Sequence, residues 1–140
     1  MIELRIIFCG DRWWTDRESI AEVMHTLIDA FATFTVIEGE ARGADLIAKA
    51  IARSYDLPVA SFKADWDRFK KAAGPIRNAE MLYHGRADGV VAFHKNIMTS
   101  SGTKNMVMQA RKAGVPAWVW GDSIEWFIRE VKERMECQQR

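Results

Sequence analysis

Residues 4–9 read "LRIIFC", and residues 10–16 after them read "GDRWWTD". The first run is apolar at nearly every position rather than at alternate ones. That is the pattern of a strand covered on both faces, so it predicts a parallel strand between two helix layers. The period then changes. Ile20, Val23, Met24, Leu27, Ile28 and Phe31 recur at helical spacing, and Thr15 with Glu18 fits a capping box at the start of that helix. A buried strand feeding an amphipathic helix is the repeating unit of a parallel α/β sheet.

The alternation continues to the end of the chain. Further apolar runs are "FTVIE" (34–38), "PVASF" (58–62), "GVVAF" (89–93) and "PAWVW" (116–120). A second helix spans about Ala44 to Ser54, with Leu46, Ile47, Ala50 and Ile51 on one face. A third opens near Pro75, whose fixed φ suits a first helical position. A fourth follows "SSGT" and carries Met106, Val107 and Ala110. The last opens with Asp122 and Glu125 as a cap pattern, runs through Ile124, Phe127, Ile128, Val131 and Met135, and frays over "ECQQR". Strands alternating with helices under the right-handed crossover rule give an α/β fold. The expectation is a Rossmann-like three-layer sandwich with a mainly parallel five-stranded sheet, forming a single domain over 1–140. The longest irregular segment is expected from Lys63 to Gly74, a length that often marks function.

Composition excludes several classes. The chain has 140 residues, 49% hydrophobic and 28% charged, with a formal net charge of +1. That balance gives no global attraction to nucleic acid or anionic membrane. No apolar run approaches a membrane span, and Glu3 stands where a signal peptide needs a basic start. Cys9 and Cys137 lie near opposite ends and form neither a metal-ligand pair nor a disulfide framework. A cytoplasmic location is expected.

In an open parallel sheet, ligands bind beyond the carboxyl ends of the strands. After the first four strands come "CGDRWWTD", "EGEARGAD", "KADWDRFKKAAGPIRN" and "HKNIMTSSGTKN"; after the fifth comes only "GDS". "GEARGAD" and "SSGT" set glycines immediately before helices, where free N–H groups bind anions. Arg77 raises a question. If Pro75 opens the third helix, Arg77 sits in its first turn, where the helix dipole disfavours a cation. Either an anion joins it there, or the side chain is solvated or pairs with Asp65 or Asp67. Trp13 and Trp66 fall in these loops and could stack on a base. Trp14 could equally pack under the first helix, and Trp118, Trp120 and Trp126 suit core packing or a subunit contact. His94 falls at the site edge, while His25 and His84 read as helix residues. Arg68, Lys70 and Lys71 read as a solvated face that could gate an anion. No metal site or cofactor is expected.

Six segments carry a resemblance. They are "GDRWWTD" (10–16), "GEARGADLIA" (39–48), "ADW" (64–66), "AAGPIRNAEML" (72–82), "VVAFH" (90–94) and "SSGTKNMV" (100–107). In this order and spacing the chain resembles the YspA/YpsA-related branch of the SLOG group, within the SMF/DprA–LOG superfamily of Rossmann-like nucleotide-binding proteins. The resemblance implies a nucleotide pocket at the strand ends. Gly10, Asp11 and Arg12 would line its first wall, and Gly39, Arg42, Gly43 and Asp45 its second. Arg77, Asn78 and Met81 would come from the third helix, and Ser101, Gly102 and Thr103 would hold phosphate. The related LOG enzymes are phosphoribohydrolases whose phosphate loop reads G-G-x-G-T-x-E-E. Here the loop is "TSSGTKNM", with Lys104 and Asn105 at the acidic positions, which argues against hydrolysis. Glu80, Glu40 or Asp11 could substitute, and the residues favour none of them.

The expectation is therefore a module that binds a nucleotide-derived small molecule, as a sensor or sequestering protein. A nucleotide N-glycosidase is the alternative, and a single-stranded nucleic-acid binder is disfavoured by the charge. Self-association through the apolar last strand and helix is also expected.

Overall fold

The computed structural model describes residues 3–138. Five strands, β1 (Arg5–Gly10), β2 (Thr35–Glu38), β3 (Val59–Ser61), β4 (Gly89–Phe93) and β5 (Ala117–Val119), form one parallel sheet in the order β3-β2-β1-β4-β5. The register pairs Ile6 with Val36 and Phe8 with Val91. Among the described residues six α-helices accompany them: α1 (Arg17–Phe31), α2 (Ala44–Ser54), α3 (Trp66–Phe69), α4 (Ala73–Tyr83), α5 (Gly102–Lys112) and α6 (Ile124–Gln138).

The sheet divides two cores. Ile6 and Phe8 of β1 join Ile20 and Met24 of α1, Ala48 of α2 and Phe127 of α6. Ile7 and Cys9 join Met81 of α4 and Met106 and Val107 of α5 on the opposite face. Successive residues of a strand point to opposite faces, so a strand between two apolar layers needs apolar residues at every position. That explains the unbroken runs, and the three-layer α/β sandwich is as the sequence predicts. The direction in which the sheet grows reverses between β1 and β4, which creates a switch point at their carboxyl ends.

Local details differ from the sequence reading. Asp16, not Thr15, caps α1: its carboxylate accepts the Ser19 N–H at 3.2 Å. Both residue types cap well, so the pattern alone leaves one residue of ambiguity. Helix α4 begins at Ala73, two residues before Pro75. A proline third in the helix is tolerated because none of the first N–H groups has an intrahelical partner. Arg77 therefore lies just beyond the first turn. The span Lys63–Gly74 is not irregular: it holds α3, capped by Asp65 onto the Arg68 N–H at 3.1 Å, and a 3₁₀ turn over Lys70–Ala72. Asp122 does not open α6. It accepts the Val119 N–H at 3.2 Å and closes the turn after β5. Helix α6 holds through Gln138, while the last two residues of "ECQQR" lie outside the described residues.

Trp14 is buried against Phe93 and donates to the Asp16 carbonyl at 3.0 Å and the Ser19 hydroxyl at 3.1 Å. Trp118 is core, Trp126 packs partly buried at its edge, and Trp120 is exposed. No helix among the described residues is long and apolar enough to cross a membrane.

Candidate functional site

The loops after β1 to β4 and the starts of α4 and α5 enclose one cleft of about 1360 Å³ at the switch point. This exceeds the usual range of about 300–1000 Å³ for small-ligand pockets, although part of it is open to solvent. Of the expected residues, Gly10, Asp11, Arg12 and Trp13 line it from the β1 loop, and Gly39, Arg42 and Asp45 from β2 and α2. Trp66, Arg77, Asn78 and Met81 line it from α3 and α4, and Ser101, Gly102 and Thr103 from the start of α5. Gly43 is not among the lining residues. It has φ +82°, and a Cβ there would lie 2.3 Å from the Asp11 carbonyl oxygen. Its contribution is to let α2 dock against the β1 loop, where the Ala44 N–H donates to the same Asp11 oxygen at 3.1 Å.

The walls are tied together from behind. Asn78 donates from Nδ2 to the Gly102 carbonyl at 3.3 Å and to Asn105 Oδ1 at 3.1 Å. Gln109 donates to the same Asn105 oxygen at 2.7 Å. Asn105 thus serves as an acceptor that joins α4 to α5. The Ser100 hydroxyl accepts the Thr103 N–H at 3.0 Å and opens α5. Gly102 faces open space: a Cβ added there would meet no atom within 4 Å.

Arg77 answers the question its position raised. Its Nη1 donates to the Gly39 carbonyl at 2.6 Å, and its Nε to Asn78 Oδ1 at 3.2 Å. The side chain crosses from α4 to the end of β2, pairing with neither Asp65 nor Asp67. Beneath it lies Asp45, 4% exposed, whose Oδ2 accepts the Gly39 N–H at 2.9 Å. Burial pushes this carboxyl up to about 7, against the opposing pull of the Arg77 guanidinium and the Gly39 N–H. Cys9, also at the floor, is a neutral thiol driven far up by burial. It is inert rather than nucleophilic.

The rim is aromatic and cationic. Trp13 is 68% exposed with the Arg42 guanidinium 4.8 Å from its ring centre, and Trp66 is 52% exposed. Lys71 and His94 also line the cleft. Lys63 is a lining cation that sequence reasoning missed, although its place directly beyond the third apolar run was a usable signal. Of the three candidate acids, Glu80 lies outside the lining. Glu40 lines the cleft but is bound by Lys49 Nζ at 2.6 Å, which holds its carboxyl below the usual range. Asp11 lines it too, and its Oδ1 accepts the Trp13 N–H at 3.0 Å. Among the described residues no group of three His, Cys, Asp or Glu side chains could hold a metal ion.

The profile of the YspA, cpYpsA-related SLOG family matches residues 4–69, which include the β1 and β2 loops. The Gene 61 protein of Mycobacterium phage D29 is 34% identical over 127 residues, covering 84% of this chain and 97% of that protein. The chain belongs to the YspA, cpYpsA-related SLOG family. The matched span stops short of "AAGPIRNAEML", so the α4 wall rests on the geometry above. DNA processing protein A (DprA) from Streptococcus pneumoniae superposes with a TM-score of 0.67 at 15% identity, over 96% of this chain and 56% of that one. At that identity the likeness establishes the fold. This SLOG chain spans little more than half the length of that structure's chain.

Proposed function

We propose that this SLOG protein captures a nucleotide-derived small molecule in the cleft at the strand ends. Family membership and the shared fold support a nucleotide- or nucleic-acid-related role, and the cleft's shape favours the small molecule. The observation that carries the reading is the convergence of Arg12, Arg42, Lys63, Lys71 and Arg77 with two exposed tryptophans around the open start of α5. Cations and a helix start suit phosphate, and exposed indoles suit a base. The chain as a whole carries only +1, which favours a local anion site over a nucleic-acid stripe. Hydrolysis of an N-glycosidic bond is the second reading. Its support is Asp45, a lining carboxyl that titrates near neutrality and so has the proton affinity of a general acid.

One experiment separates the readings. Stoichiometric protein is incubated with nucleotides, cyclic nucleotides and ADP-ribose derivatives, filtered, and the free pool quantified by mass spectrometry before and after denaturation. Capture predicts that one ligand disappears and returns intact. A free base or ribose phosphate accumulating beyond one equivalent would replace capture with turnover. Arg77→Ala and Gly102→Asp should each abolish retention while leaving the circular dichroism spectrum unchanged. Normal retention in both would move the site elsewhere. Self-association through β5 and α6, where Trp120 is exposed, is part of the same proposal and is read by sedimentation.

A further inference from the structure

At the cleft floor two buried carboxyls and one guanidinium converge on the Gly39 turn. Glu38, at the end of β2, is wholly buried; its Oε1 accepts the Glu40 N–H at 2.8 Å, and its Oε2 has no hydrogen-bond partner. Asp45, at the start of α2, is held through Oδ2 by the Gly39 N–H. Arg77 reaches the same turn from α4, with Nη1 spent on the Gly39 carbonyl and Nε on Asn78. The groups acting on Asp45 are thus Glu38 from β2, Arg77 from α4 and the backbone at Gly39 and Ala41. Cys9 from β1 also lies near, as a neutral thiol, and Arg12, Arg42, Lys63, Lys71 and His94 face the same cleft from the surrounding loops. On α2 itself, Lys49 is committed to Glu40.

Two buried carboxyls beside one guanidinium would leave a negative charge without a partner if both were ionised. A low-dielectric interior tolerates that poorly, and the cheapest remedy is a proton. An anion arriving in the cleft adds negative charge close to Asp45, which lines the cleft as Arg77 does.

We infer that anion binding in this cleft is coupled to proton uptake: the anion engages the charge of Arg77, and Asp45 becomes a neutral carboxylic acid that still accepts the Gly39 N–H. This rests on the cleft being an anion-binding pocket, as proposed above. Asp45 is then a positioning residue that acts on Arg77 through Gly39, to which both are hydrogen-bonded. The free carboxyl is balanced near pH 7, so small changes in pH change its charge. Below that midpoint the proton is already present and affinity does not depend on pH. Above it, each binding event must recruit a proton, and affinity falls as pH rises, by up to about tenfold per unit for one linked proton.

The test uses sulfate, whose charge is constant between about pH 6 and 8.5. The Arg77 Nε–H and the Asp45 carboxyl carbon are followed by NMR in sulfate titrations across that range. The expected result is a sulfate-dependent shift at Arg77, an upward move of the Asp45 midpoint, and an affinity that weakens with pH above about 7. Asp45→Asn should give sulfate binding that is flat with pH, with the Arg77 signal still shifting. If sulfate shifts Arg77 and leaves the Asp45 midpoint fixed, the coupling is wrong and the anion pocket stands. If sulfate moves neither group, the coupling falls, while a nucleotide retained in the capture experiment would still uphold the pocket. Failure of both would overturn both.

Discussion

A single methyl group at Gly39 should dislodge Arg77. The backbone at Gly39 is not in the positive-φ region, so alanine fits it conformationally. Its Cβ, however, would lie 2.6 Å from Arg77 Nη1, 2.8 Å from Cζ and 2.9 Å from Cδ. Ordinary contact needs about 3.5 Å or more, so the side chain must withdraw by about 1 Å and leave the Gly39 carbonyl. A hydrogen bond from a charged donor contributes about 1.5–3 kcal/mol. Replacing glycine by alanine at a compatible position returns about 0.4–1 kcal/mol through the unfolded chain. The net loss is about 1–2 kcal/mol, or roughly 3–8 °C in melting temperature for a domain of this size. Thermal melts of Gly39→Ala, Arg77→Ala and the double variant check the reasoning as a cycle. With Arg77 truncated there is nothing to displace, so Gly39→Ala should then be neutral or slightly stabilising. An equal loss in both backgrounds would mean that Arg77 is not what the methyl meets.

Three more predictions concern neighbouring residues. Gly43→Ala should cost more than about 3 kcal/mol in chemical denaturation, because φ is +82° and the atoms 2.3–2.5 Å from the new Cβ are immobile backbone of Asp11 and Arg12. The folded Asp45 carboxyl titrates near 7 against an ordinary 3.8, so the folded protein binds more protons than the unfolded chain between those values. Stability should therefore fall as pH rises from about 4 to about 7, and urea midpoints of Asp45→Asn should lack this slope. Glu40, held low by Lys49, acts in the opposite sense and only at more acidic pH. Trp13→Ala should shift stability by no more than about 0.5 kcal/mol, since the ring is largely exposed, while weakening retention of the captured nucleotide about 3- to 10-fold.

The sheet is legible because each strand is buried on both faces. "GVVAF" reads as an apolar run and forms β4 over the same residues, and Ala44–Ser54 is likewise bounded by its own periodicity. Helix starts are less legible where several positions obey the same rule. Thr15 and Asp16 are both good caps, and proline is allowed both first and third in a helix, so each start reads one or two residues late or early. Four-residue α3 is too short to show a period at all. Most of the cleft can be read from the residues after each strand, because strand ends converge in this fold. The meeting of Arg77 and Asp45 at Gly39 cannot. It joins α4 to β2 and α2 across the switch point, and no local pattern encodes a contact between segments so far apart in sequence.

Net charge also conceals the site. A chain at +1 gives no reason to expect an anion pocket, yet five cations face the cleft against three carboxyls. Those carboxyls are not equivalent to three free negative charges. Lys49 neutralises Glu40, burial favours the neutral form of Asp45, and the Asp11 carboxylate accepts from its own loop. The field inside the cleft is therefore more positive than the residue count suggests, and charges facing a concave, partly desolvated space act more strongly than those spread over the outer surface. The same commitments bear on turnover. A general acid must deliver its proton to the leaving group, but Asp45 sits beneath Arg77 with one oxygen on the Gly39 N–H, and Glu40 is fixed as a carboxylate. The arrangement that attracts and holds an anion is the one that leaves the acids engaged elsewhere, and this favours capture over cleavage.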